Sequence, residues 1–153
     1  MSRIDYFAYT FAGMDTSSPN FYDIYLAHYD LFLPRKISNY ISTHDLECVI
    51  CSCGNGYRRR ISYPNIGISV MYQGVTPEHG CHVVLSGTIL TLVNMTRDDY
   101  QEFSDQMSER LAMLKSVLYN DIDLWFRVSR CDIAYDFDIP FHQFLAKFNA
   151  GCF

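Results

Sequence analysis

The sequence predicts an α+β domain, a mostly antiparallel sheet with helices packed on one face. Three observations lead there. Residues 4–11, 66–73 and 81–89 alternate apolar and polar side chains or are rich in β-branched and aromatic ones, as strands are. Segments between and after them repeat apolar residues at helical spacing. The loop Val75-Thr76-Pro77-Glu78-His79-Gly80 joins the two central strands and suits a hairpin. The order β-α-β-β-α-β-α then describes one layer of strands under one layer of helices.

Each element has its own reason. The opening strand IDYFAYTF is followed by a turn-rich loop, Gly13 to Asn20. Phe21, Ile24, Tyr25, His28, Leu31 and Phe32 then share one helical face, and Pro34 stops that helix. His28, on this aromatic face, reads as a satisfied core histidine. Residues 46–53 (LECVICSC) are expected to form a strand, and Gly54-Asn55-Gly56 must turn. Ile66, Ile68, Val70 and Tyr72 share one strand face; Cys81, Val83, Leu85 and Ile89 share another. A helix over 97–119 starts at Thr96 as N-cap, with Asp99 three residues on, and buries a stripe of Tyr100, Phe103, Met107, Leu111, Leu114 and Leu118. Asp98, Asp99, Glu102 and Asp105 load its first turns, and Lys115 sits near its end, as the helix dipole favours. A strand over 124–137 and a last helix opened by Pro140, with Phe141, Phe144, Leu145 and Phe148 on one side, complete the chain.

Composition bounds the class. At 153 residues, 49% apolar and 19% charged, the chain makes one folded domain and needs no disulfide staple. No apolar run approaches the 18 or so residues that cross a bilayer. The first residues alternate apolar and polar and do not resemble a signal peptide, which predicts a cytoplasmic protein. Net charge is −5, carried by residues 76–153, and opposes nucleic-acid binding, since a domain that lives on nucleic-acid backbones is usually basic. The 12 Tyr and 11 Phe favour recognition of a partner through large, stiff contacts.

The strand over 128–138 carries the most information. Period-two alternation points Cys131, Ile133, Tyr135 and Phe137 toward a core, and Arg130, Asp132, Ala134, Asp136 and Asp138 away from it. Such a face handles a divalent metal or a phosphate, or is a solvated surface with an Arg130–Asp132 cross-link. Asp132 and Asp136 lie roughly 13 Å apart along the strand, too far to share one ion without a neighbouring strand.

Arg130-Cys131-Asp132-Ile133-Ala134-Tyr135-Asp136 reads R-x-D-I-A-x-D. This resembles the signature of Rep_trans-type replication initiation proteins of plasmids, phages and conjugative elements. Ile4-Asp5-Tyr6 to Thr10-Phe11 resembles their opening strand, and Val84-Leu85-Ser86-Gly87 the strand with Ser-Gly before their long helix. The resemblance implies a metal-assisted tyrosine nickase that starts rolling-circle replication, with Asp132 and Asp136 at or beside the metal. In that family the tyrosine lies in a Y-x-K-like strand well beyond this signature. The chain as given ends at Phe153, so it resembles the family's amino-terminal half, and a non-catalytic domain is expected.

Cys48-x-x-Cys51-x-Cys53-Gly54, with His44 upstream, resembles half of a zinc knuckle; His79, Cys81 and His82 offer a second half. Free thiols, with Cys48 buried beside Leu46 and Ile50, are the alternative. Arg58-Arg59-Arg60 is a solvated loop or a contact for phosphates or an acidic surface. Shortness and acidity together lead to an expected function as a protein-binding domain of a mobile element. It would inhibit a host DNA-targeting nuclease, such as a CRISPR effector, through Asp98, Asp99, Glu102, Asp105 and Glu109, with weak or no direct nucleic-acid binding. A rolling-circle initiator, or a DNA-binding regulatory fragment of one, is the alternative.

Overall fold

The computed structural model describes residues 2–12, 21–75, 79–118, 125–135 and 141–151. The loop 13–20, Asp136, Phe137, Asp138 and Pro140 lie outside them, as do the side chains of Leu114, Lys115, Leu118, Phe141, Phe144 and Phe148.

Six strands form one fully antiparallel sheet: β1 (Ser2–Ala12), β2 (Val49–Ser52), β3 (Tyr57–Tyr63), β4 (Ile68–Gly74), β5 (Cys81–Ser86) and β6 (Trp125–Tyr135). Their spatial order is β2-β3-β4-β5-β1-β6, so the first strand is inserted between β5 and the last one. Five helices are described: α1 (Phe21–Phe32), α2 (Arg35–Thr43), α3 (Gly87–Leu92), α4 (Arg97–Leu118) and α5 (Phe141–Asn149). The α+β class with an antiparallel sheet is as the sequence predicts.

Period-two alternation sorts the sheet into two sides. One register row runs Ile50–Ile61–Val70–Val83–Tyr9–Val128 across all six strands. Its four inner members are fully buried beneath α1 to α4, which bury Phe21, Tyr25, Ile37, Ile89, Phe103, Met107 and Leu111 in the same core. Tyr9 is the hub. Its ring meets Phe7, Phe11, Phe103 and Phe126, and its hydroxyl donates to the Phe32 carbonyl at 2.6 Å. That bond satisfies a carbonyl at the end of α1 where no helical donor reaches.

Several elements depart from the expected map. Arg58-Arg59-Arg60 is part of β3, not a loop. The preceding turn explains it: Asn55 and Gly56 both have positive φ (59° and 88°), and Tyr57 N–H donates to the Gly54 carbonyl at 3.2 Å. This is the Asn-Gly turn whose twist matches a two-strand hairpin, so β2 must be followed by a partner. Pro34 ends α1, but α2 starts at the next residue, because Pro at the entry leaves no helical donor missing. The strand from Cys81 ends at Ser86; Gly87 opens α3, which carries Ile89 into the core. A Cβ on Gly87 would sit 2.8 Å from the Asp5 carbonyl, so this Ser-Gly step lets α3 leave close against β1. His28 sits at a bend in α1 with non-helical backbone (φ −136°, ψ 27°) and is half-buried, outside the core.

Cys131 and Ile133 do not reach the core either. Ile133 is 56% exposed and Cys131 is exposed, because β6 is an edge strand that the helical layer covers mainly near Phe126.

Candidate functional site

The sheet side turned away from α1 to α4 holds the chemistry. The row beside the core row runs Cys51–Arg60–Met71–His82–Thr10–Arg127, one residue from each strand. The next open-side row ends in Val84, Ala8 and Arg130, and the next in Ser86, Tyr6 and Asp132. Three arginines of β3 and β6 thus lie on one side of the sheet, flanking its middle strands.

Two aromatic rings accompany them. The Arg130 guanidinium stacks over the Tyr6 ring at 4.5 Å while pairing with Asp132 through two hydrogen bonds of 2.9 and 2.6 Å. The Tyr57 ring lies nearly parallel to the His82 imidazole, centroids 6.3 Å apart, and its hydroxyl donates to the His79 carbonyl at 3.2 Å. Burial pushes the Tyr57 phenol up to about 12, so it is a neutral ring at physiological pH.

Across β5, β1 and β6 runs a polar knot. The Thr10 hydroxyl lies 2.7 Å from His82 Nδ1 and 3.0 Å from the Ser129 hydroxyl. Thr10 is only 4% exposed. Burial first, and then the nearby Arg127 cation, hold His82 below the usual imidazole range. Together with Asn55, Tyr57 and Arg127, the three residues border a hollow of about 290 Å³.

The cysteine–histidine set is not gathered. Cys48 packs against the core and meets the Tyr22 and Tyr63 hydroxyls. Cys51 faces the open side, where Arg60 Nε donates to its sulfur at 3.3 Å. His44 stacks on Tyr40 and bonds through Nδ1 to the Tyr40 carbonyl at 2.9 Å. Cys81 is fully buried, and alternation sends its neighbour His82 to the opposite side. Among the described residues no group of three or more His, Cys, Asp or Glu is placed to hold a metal ion. In this arrangement Cys48, Cys51, Cys53 and His44 do not converge as zinc ligands must.

Arg130 and Asp132 form the cross-link that was one of the two readings of their spacing; Asp136 and Asp138 lie outside the described residues. The Arg130 bonds hold the Asp132 carboxyl below its ordinary value.

The acidic side of α4 is partly structural. Asp99 accepts from the Thr96 N–H and hydroxyl, each at 2.8 Å, and its own N–H donates back to Thr96 at 3.3 Å. This capping box is also an ion pair with Lys36 at 2.6 Å, and Glu102 pairs with Arg35 at 3.3 Å. Both bonds tie α4 to α2, leaving Asp98, Asp105 and Glu109 as the exposed carboxylates of the set. Burial raises the Asp99 carboxyl, but the bonds from Lys36 and Thr96 outweigh that and hold it below its ordinary value. A depressed carboxyl stabilises the fold above its unfolded value and loses that contribution as pH falls through the folded value. Asp99→Ala is therefore expected to cost about 1 kcal/mol at neutral pH. In urea titrations the gap to the parent should close as the pH is lowered through the carboxylate range; a constant gap would rule out the carboxylate as its cause.

No sequence motif joins Thr10, Tyr57, His82, Arg127 and Ser129. They come from four strands, and only the register brings them together. No family model, curated protein or solved structure matches this chain.

Proposed function

We propose that this domain holds single-stranded nucleic acid along the open side of its sheet, as a DNA-binding module of the replication-initiator kind. The observation that carries the reading is the register row that puts Arg60, His82 and Arg127 on one surface, flanked by the Tyr57 ring and by the Arg130 guanidinium stacked on Tyr6. Cations that follow a backbone and aromatic rings that take unpaired bases are what sequence-tolerant single-strand binding needs. The resemblance of R-x-D-I-A-x-D to initiator proteins points the same way. The exposed carboxylates of α4 lie on the helical layer, Asp99 and Glu102 are paired with α2, and on the open side Asp132 is paired with Arg130.

Fluorescence anisotropy with labelled oligothymidylate and oligouridylate tests the reading. Micromolar binding at low salt that weakens steeply as salt rises supports it; no binding at low salt refutes it. Asp98, Asp105 and Glu109 favour a second reading, a mobile-element inhibitor that offers these carboxylates to a basic nuclease surface. That reading gains if oligonucleotides fail to bind and neutralising the three carboxylates abolishes inhibition of such a nuclease.

No described helix is long and apolar enough to cross a membrane.

A further inference from the structure

The knot across β5, β1 and β6 can be assigned a ligand. Among the described residues its border offers a guanidinium (Arg127), two hydroxyls (Thr10, Ser129), an amide (Asn55) and an imidazole (His82). Hydrogen-bonding groups gathered around a guanidinium in this way are the complement of an anion. At about 290 Å³ the hollow lies at the small end of ligand sites, so it suits one group rather than a whole nucleoside. The Tyr57 ring forms another part of the border, placed for a base attached to that group.

We infer that this hollow is a phosphate seat, in which Thr10, Ser129, His82 and Arg127 receive one phosphodiester of a bound strand. The inference rests on the proposed function and names the point where a strand is anchored. Thr10 also holds the seat together. Buried on β1, its hydroxyl links the His82 ring on β5 to Ser129 on β6. His82, held neutral at physiological pH by burial and by Arg127, takes part as a hydrogen-bonding ring and leaves the cationic role to Arg127.

The test uses the full chain with labelled histidine rings, followed by NMR. It is titrated first with inorganic phosphate against chloride of equal ionic strength, then with a short oligothymidylate. The expected result is a saturable shift of the His82 ring resonances with both ligands, while those of His28 and His142 stay in place. Thr10→Val and Ser129→Ala should each weaken the phosphate response about tenfold, as lost hydrogen bonds to a charged group do. Ser129 is exposed on an edge strand, so its variant keeps the test valid if the Thr10 variant does not fold. If the oligonucleotide binds and His82 responds to neither ligand, the seat is overturned and the sheet reading stands. If phosphate shifts His82 but no oligonucleotide binds, the anion seat is supported and assigned to free phosphate, and the sheet reading falls. If neither ligand binds, both fall.

Discussion

Replacing Arg60 and Arg127 together with glutamine is expected to weaken oligothymidylate binding by at least about tenfold at low salt and to flatten its salt dependence. Each cation that meets a single-strand phosphate contributes about 0.7 to the slope of log affinity against log salt, so two should remove roughly 1.4. Both arginines are surface residues of the open side, and neither belongs to the core. The fold should therefore survive, with an unchanged far-ultraviolet circular dichroism spectrum. Full affinity and an unchanged slope in the double variant would place the binding surface elsewhere.

Removal of the Tyr9 side chain should have the largest effect on stability. The residue is fully buried, touches four aromatic rings and donates to the Phe32 carbonyl. Tyr9→Ala leaves a large cavity and an unpaired carbonyl, and losses of about 3–5 kcal/mol follow from burying such aromatic groups. That is a large share of the 5–15 kcal/mol that usually holds a domain folded, so much of the variant should be unfolded at body temperature. Tyr9→Phe keeps the ring and removes only the donor, and should cost about 1–3 kcal/mol. Denaturant unfolding of the three proteins gives the ranking. Equal stability of the two variants would mean that the hydroxyl, not the packed ring, carries the contribution.

How much of this was legible in the sequence depends on how far each feature reaches along the chain. Tyr100, Phe103, Met107 and Leu111 sit on one helix at fixed spacing, so the face of α4 that enters the core could be read directly, and so could its Thr96–Asp99 cap. The alternation of 66–73 likewise predicts the side of β4 that is buried. The Asn55-Gly56 turn was a local signal for β3 as well, but the arginine run after it looks like a solvated loop until its partner strand is known. The site is different in kind. Thr10 and His82 are 72 residues apart and Thr10 and Ser129 are 119 apart, and they meet only because β1 is inserted between β5 and β6. No spacing rule along one segment encodes that insertion. The cysteines show the converse: Cys48-x-x-Cys51 has knuckle spacing, yet the strand carries Cys51 to Arg60 on the open side while Cys48 packs inward.

Photocrosslinking of a halogenated single-stranded oligonucleotide to the protein, with the attachment points located by mass spectrometry, would show which face of the domain the strand touches. Adducts are expected on the open side of the sheet, at Tyr57 and Tyr6 and their strand neighbours. Adducts confined to α2 and α4, or none under conditions that saturate binding, would contradict it.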